Sequence, residues 1–342
     1  MELNFDQRIT IPSHYARVFR QVLADAGHDF EQVCREAKLP LQVVVATDGV
    51  LEPAQYVGLV KRCWHLMDDE FLGMGAERCK PGLFALMVRY VLHFDTLRAL
   101  LKEYQRFYRS TRDDVRMEYE ITDSEVRWYC DLVDARNDPD HFLIEFLLVA
   151  SHRLFCWITG TRIHPTQCFF AYSKPSHYQH YRDLFNCEHH FDQQRCGFAF
   201  DLKHLSSPLV RSSEEMKVLL ESAPAQLMVM SGTDNSYTTR IKGMALKQQK
   251  EGRGFPDFVT VASELCVSPQ TLRRKLQAEN TSYQAIKDLL RRDIAVDKLI
   301  NEDLPVADIG QLVGFVEPAS FTRAFKQWTG VSPAQYRARS DT

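Results

Sequence analysis

The sequence has no run of 18 apolar residues and no basic-then-apolar N-terminus with a small-residue cleavage site, so a soluble, cytoplasmic chain without membrane contact is expected. It lacks GxxxxGK[ST], GxSxG, HExxH and dinucleotide-binding fingerprints, and with them the sequence grounds for the common nucleotide-, serine- and zinc-dependent enzymes. Nine cysteines are scattered without a CxxC pair, mostly inside apolar segments, which reads as reduced core thiols. Cys187, His189, His190 and Cys196, with His177 and His180 nearby, match no four-ligand zinc spacing, so neither a metal nor a cofactor is expected. Reactive cysteines need an electropositive, accessible setting, and nothing in the linear sequence marks one.

Charge of one sign is also missing: 42 Lys+Arg stand against 45 Asp+Glu, a net charge of −3. Divided at residue 230, where a Ser/Gly/Asp/Asn stretch begins, residues 231–342 carry 16 Lys+Arg and 13 Asp+Glu, and residues 1–230 carry 26 and 32. A mildly basic tail on an acidic body permits DNA binding without demanding it. What is present is a globular composition, 45% hydrophobic and 25% charged, over 342 residues, enough for two domains with separate cores.

In the body, helical spacing dominates to about residue 110, with breaks at Gly27, Pro40 and Pro81-Gly82. The period then becomes two: Val115, Met117, Tyr119 and Ile121, a turn at Asp123-Ser124, then Val126, Trp128, Cys130 and Leu132 predict a hairpin. Phe142 to Ile158 is apolar almost all round and predicts a helix buried between layers. Short strands near Gln167–Tyr172 and Cys196–Phe200 flank a helix near His177–Phe185. The result is an α+β domain over residues 1–205, a connector over 206–235, and an all-α domain over 236–342.

The tail contains two helix-turn-helix units. Val259 to Leu265 forms a short helix, Cys266-Val267-Ser268 a turn with Ser268 as N-cap, and Pro269 opens the next helix. Leu272 and Leu276, four apart, face its core and leave Gln270, Thr271, Arg273, Arg274 and Gln277 on the outside. Such side chains suit the major groove: Arg bonds guanine bidentately, Gln adenine, and Thr meets a thymine methyl or a phosphate. Val306 to Val313, a sharp turn at Gly314-Phe315 and a helix from Glu317-Pro318 form the second unit. There Phe321 and Phe325 face inward, and Ala319, Ser320, Thr322, Arg323 and Lys326 face DNA. Tyr283 to Ile300 makes a long helix between them, roughly 27 Å at 1.5 Å per residue, which sets two recognition helices near one duplex turn apart.

The run from Ile309 to Arg337, with Gly314-Phe315, Ser320-Phe321, Arg323-Ala324-Phe325, Gly330, Ser332-Pro333 and Tyr336, resembles the signature of AraC/XylS transcriptional regulators. Val261-Ala262, Leu265, Ser268, Thr271-Leu272, Arg274, Leu276 and Thr281-Ser282 are similar to the branch typified by ornithine-utilisation regulators. Asp69 to Gly73, Pro81 to Phe84 and Thr96-Leu97 resemble that branch's N-terminal effector-binding or dimerisation domain, of the arabinose-binding type. The resemblance implies transcription activation or repression, with activation the expected mode, controlled by a small-molecule effector and carried out by a homodimer on double-stranded promoter DNA with RNA polymerase as partner. The chain departs from the pattern at Gly310 (usually Ala), Val316 (often a capping residue) and Asn280 (often Gly).

Two other readings compete: an enzyme with a helix-turn-helix tail, and a module whose body only dimerises. Ligand-dependent DNA affinity separates the regulator from the second, because an effector alters DNA binding only as far as it favours the competent conformation. Arg89, His93, Tyr119 and Trp128 are residue types that contact ligands, but each is read as core or surface, and no effector-binding residue is assigned.

Overall fold

The alternation that begins at Val115 folds as expected: β3 (Val115–Ile121) and β4 (Glu125–Leu132) pair antiparallel. The apolar positions face one another across the ladder, Val115 with Leu132, Met117 with Cys130, Tyr119 with Trp128 and Ile121 with Val126. In the computed structural model, which describes residues 11–46, 49–221, 227 and 236–340, this hairpin is the edge of a five-stranded sheet. Its order is β3-β4-β7-β5-β6, with β5 (Pro165–Phe169), β6 (Glu188–His190) and β7 (Gly197–Asp201). All neighbours are antiparallel except β5 and β6, which run parallel. β6 is only three residues long, two of them histidine, and carries no alternation that would set its bounds or its partner from the sequence.

The helices ahead of the sheet are α1 (His14–Arg17), α2 (Phe19–Asp25), α3 (Phe30–Glu36), α4 (Leu41–Val45), α5 (Pro53–Met67), α6 (Leu83–Val91) and α7 (Leu97–Thr111). A two-stranded ladder, β1 (Ile11–Pro12) with β2 (Val50–Leu51), brackets the first four. The segments Asp69 to Gly73 and Pro81 to Phe84 are joined by carboxylates. Asp69 accepts from the N–H groups of Phe71, Gly73 and Cys79 at 2.8–2.9 Å, and Glu70 accepts from Gly82 at 2.7 Å and Phe84 at 3.1 Å, where α6 begins. α8 (Phe142–Thr159) is the buried helix expected from its composition, and the short helix α9 (Tyr181–Leu184) lies in the segment between β5 and β6, within the helix expected near His177–Phe185. By length and apolarity α8 could cross a membrane, but 89% of it is buried inside the protein. It meets α7 and β4 at Trp128, which is fully buried with Tyr104 and Phe155 edge-on at 5.1 Å on either side.

The chain divides into two compact units, Met1–Asp234 and Asn235–Thr342. Within the stretch expected as connector, Leu209 and Val210 donate to the carbonyls of Asp95 and Ile158, and Arg211 Nε donates to that of Trp157 at 2.6 Å. α10 (Ser213–Leu220) follows a capping box formed by Ser212 and Glu215, and its Met216 and Leu219 belong to the core of the first unit. The rest of that stretch, except Leu227, lies outside the described residues.

The second unit is helical throughout: α11 (Tyr237–Lys250), α12 (Phe258–Glu264), α13 (Pro269–Ala278), α14 (Tyr283–Asn301), α15 (Val306–Leu312), α16 (Pro318–Thr329) and α17 (Pro333–Ser340). It has two small cores. Ile241, Val261, Leu272, Leu276, Ile286 and Leu290 form one; Ala295, Leu299, Ile309, Val313, Phe321 and Phe325 form the other. α14 contributes to both, so this 19-residue helix, roughly 28 Å long, is the common beam of two otherwise separate modules.

Candidate nucleic-acid interface

The turns that aim the two outward-facing helices are built alike. In the first, Cys266 N–H donates to Ser263 O and Val267 N–H to Ala262 O; in the second, Gly314 donates to Gln311 and Phe315 to Gly310. This double bond pattern closes a helix through one left-handed residue, Cys266 at φ 56° and Gly314 at φ 83°. Glycine adopts that conformation freely, whereas cysteine holds it at a cost of about 1–2 kcal/mol. Asn280 closes α13 in the same way at φ 56°, as its tolerance of that region suggests.

Ser268 caps α13, its Oγ accepting from Thr271 N at 3.1 Å, and Pro269 takes the first helical position. Leu272 and Leu276 are buried, which turns Gln270, Arg273, Arg274 and Gln277 to solvent as one polar row. Thr271 differs from the rest: it is half-buried and its hydroxyl meets Ser268 Oγ at 2.8 Å, so it reinforces the cap. Arg273 is steadied over the Phe258 ring at 5.7 Å, beside a groove of about 380 Å³ lined also by Gln277, Thr281, Ser282 and Gln284. Thr281 and Ser282 carry part of the family resemblance, but neither they nor Gln284 stands out in the sequence as a candidate for DNA contact. All three mark where the N-terminus of α14 reaches the polar row, which linear spacing does not show.

On α16, Phe321 and Phe325 are buried, while Ala319, Ser320, Arg323 and Lys326 are exposed. Thr322 is half-buried and its hydroxyl donates back to Pro318 O at 3.0 Å, and Ser320 Oγ lies 3.4 Å from Glu317. The N-cap of this helix is Glu317, one residue later than Val316, and it makes no side-chain capping bond. Val316 is 92% exposed, an aliphatic group at the leading end of α16 of the kind that meets a thymine methyl.

The two modules are locked together. Arg291 on α14 lies over the rings of Phe255 (5.4 Å) and Phe315 (4.8 Å) and donates to Gly314 O at 3.4 Å. Gln249 on α11 donates to Leu312 O at 2.6 Å. The spacing between the polar faces of α13 and α16 is thereby fixed before any DNA arrives.

Gly310 has a packing reason. A Cβ added there would lie 3.1 Å from the ring of Phe321, which is fully buried and has nowhere to go. Alanine would gain up to about 1 kcal/mol in helix propensity but overpack the core by about 1–3 kcal/mol. Gly310→Ala is therefore expected to lower the stability of the second unit, and a raised unfolding midpoint in urea would refute this account.

In the first unit the conspicuous polar feature is Glu145, 1% exposed in the first turn of α8. It accepts from Tyr15 at 2.7 Å, Tyr181 at 2.5 Å, His177 at 2.9 Å and Tyr172 at 3.4 Å. Burial, with the Glu145 charge adding to it, raises the tyrosine pKa values, so the phenols stay protonated as donors. His14 stacks on His177 at 3.9 Å, and burial followed by the proximity of His177 lowers its pKa to about 4. Among the described residues no Lys or Arg side chain pairs with Glu145, and none of the described His, Cys, Asp and Glu side chains form a group of three or more able to hold a metal. Trp128, one of the four ligand-type residues considered from the sequence, is core.

Residues 27–209 match the model of the arabinose-binding domain of AraC transcription regulators, and residues 261–339 match a helix-turn-helix domain model. The chain is 24% identical to the ornithine utilization regulator of Pseudomonas aeruginosa over 336 residues, 98% of each protein. It is 39% identical over 152 residues to the HTH-type transcriptional regulator VqsM of the same species, 41% of this chain and 47% of that one. The crystal structure of the transcriptional regulator CdpR from Pseudomonas aeruginosa aligns over 99% of this chain and 100% of its own, with 18% identity and a TM-score of 0.32.

Proposed function

This chain belongs to the AraC family of DNA-binding transcription regulators, and from that premise we propose that its two polar helix faces read one operator while an effector bound by the first unit controls the reading. The observation that carries the proposal is the exposed row Gln270, Arg273, Arg274 and Gln277 on α13, repeated as Ala319, Ser320, Arg323 and Lys326 on α16 along one rigid beam. Two such faces suit successive major grooves on one side of the duplex, and a modest bend, at about 1–6 kcal/mol, takes up any mismatch in pitch. Arg273, Arg274 and Gln277 are the base readers in this scheme. Arg323 and Lys326 hold phosphates, and the hydroxyls of Thr271 and Thr322 keep the helix starts in shape.

The chain acts as a homodimer in the cytoplasm, recruiting RNA polymerase as an activator, and it catalyses no reaction. Its effector carries a positively charged amine: Glu145 is a buried carboxylate among aromatic rings without a Lys or Arg counter-ion, and a curated relative is named for ornithine utilisation. Footprinting on the chain's own upstream DNA at fixed salt, with and without amino acids, amines and fatty acids, tests both halves. Protection over successive major grooves that shifts with an amine supports the proposal. Protection that no compound alters points instead to a body that only dimerises, and no protection at all removes the regulator reading.

Lys326→Ala is expected to weaken binding to every DNA sequence alike and to reduce the slope of log affinity against log salt by about 1. A loss confined to one operator variant would reassign Lys326 to base reading.

A further inference from the structure

We infer that Cys168 and Cys187 form an oxidisable pair whose reversible disulfide joins β5 to the residue leading into β6. Their sulfurs lie 3.4 Å apart, in contact without a bond, and a disulfide requires about 2.05 Å. β6 is an edge strand, and Cys187, just ahead of it, is half-buried, while Cys168 is fully buried behind. One sulfur is within reach of a small oxidant, and the other is positioned to resolve it.

The surroundings favour the same division. The Cys168 S–H and then the His189 imidazole hold the Cys187 thiol below its ordinary pKa against the effect of burial, while burial pushes Cys168 up. Burial likewise raises Cys34, Cys63, Cys79, Cys130, Cys156 and Cys196, which keeps them protonated and slow to react. Cys266 is exposed, but the second unit has no other cysteine to resolve it.

With a hydroperoxide as oxidant, the Cys187 thiolate attacks the outer peroxide oxygen, the O–O bond breaks, and the departing oxygen takes a proton to leave as water or an alcohol. Cys187 becomes a sulfenic acid. The Cys168 sulfur then attacks it, the S–O bond breaks, and hydroxide leaves as water with the Cys168 proton. Two thiols and one hydrogen peroxide give one disulfide and two waters. The bond closes the chain over residues 169–186, which carries Tyr172, His177 and Tyr181, three of the four donors to Glu145. Oxidation thus clamps the segment that covers the buried carboxylate.

The test is to treat the full chain at pH 7 with hydrogen peroxide, block the remaining thiols, and map peptides without reduction. A linked pair containing Cys168 and Cys187, lighter by two hydrogens and released by dithiothreitol, is the expected product. Cys168→Ser should leave Cys187 as a sulfenic acid trapped by dimedone, and Cys187→Ser should leave Cys168 unmodified. Both thiols still free after Cys266 has been oxidised, or a different intramolecular pair, would overturn the inference. Because wild-type protein supplies the primary readout, poor folding of either variant does not leave the question open.

Discussion

Replacing Arg273 and Arg274 together by alanine is expected to weaken specific operator binding by about 2–6 kcal/mol, since one bidentate base contact carries about 1–3 kcal/mol of discrimination. Both side chains are exposed on α13, and the buried residues that hold the helix, Leu272 and Leu276, are untouched. Stability should accordingly change little: Arg273 loses its position over Phe258, a contact of about 0.5–1 kcal/mol at an exposed site. Equilibrium titration with operator and with unrelated DNA at matched salt separates the possible roles. If the two arginines read bases, operator affinity collapses toward the non-specific level. If they hold phosphates, both affinities fall together and the salt slope drops by about 2. Unchanged binding to the operator would remove α13 from the interface altogether.

Glu145→Ala is expected to destabilise the first unit by about 3–5 kcal/mol, the scale seen when one partner of a buried charged network is removed. The substitution deletes the acceptor for Tyr15, Tyr172, Tyr181 and His177 at once, and three of these four are less than a tenth exposed, out of reach of replacement water. Glu145→Gln keeps an oxygen for Tyr181 and His177 but presents an amide N–H₂ to Tyr15, and should cost roughly half as much. Hydrogen exchange in increasing urea localises the effect, with peptides from residues 142–159 losing protection early and those from 269–329 serving as the internal control. Equal protection of residues 142–159 in wild type and Glu145→Ala would show that the network contributes nothing net to folding.

Much of this architecture was legible in the chain because the relevant signals are local. The hairpin of β3 and β4 follows from strict alternation, and its register follows from matching the two apolar sets across a short turn. The cap at Ser268, the proline after it, and the Leu272/Leu276 pair define α13 within ten residues. The Ile309–Arg337 signature supplied the family resemblance, which the matches over residues 27–209 and 261–339 bear out. The sites that escaped the reading are assembled from distant segments. Glu145 lies in a helix otherwise apolar almost all round, and nothing near it in the sequence marks its donors, which come from positions 15, 172, 177 and 181. Cys168 and Cys187 read as two unrelated core thiols until the parallel pairing of β5 with β6 brought them together. Gly310 looked like a weakness in a helix until Phe321 was found packed against it.

The sequence by itself determined that this protein has an α+β body and a helical tail with two outward-facing polar helices, because period, caps and turn residues act over a few bonds and need no partner. Only the tertiary structure decided how those faces are held, which carboxylate is isolated in the body, and which thiols touch. Each of those depends on contacts such as Arg291 over Phe255 and Phe315, whose sequence separation leaves no periodic trace and whose geometry exists only once both cores have packed.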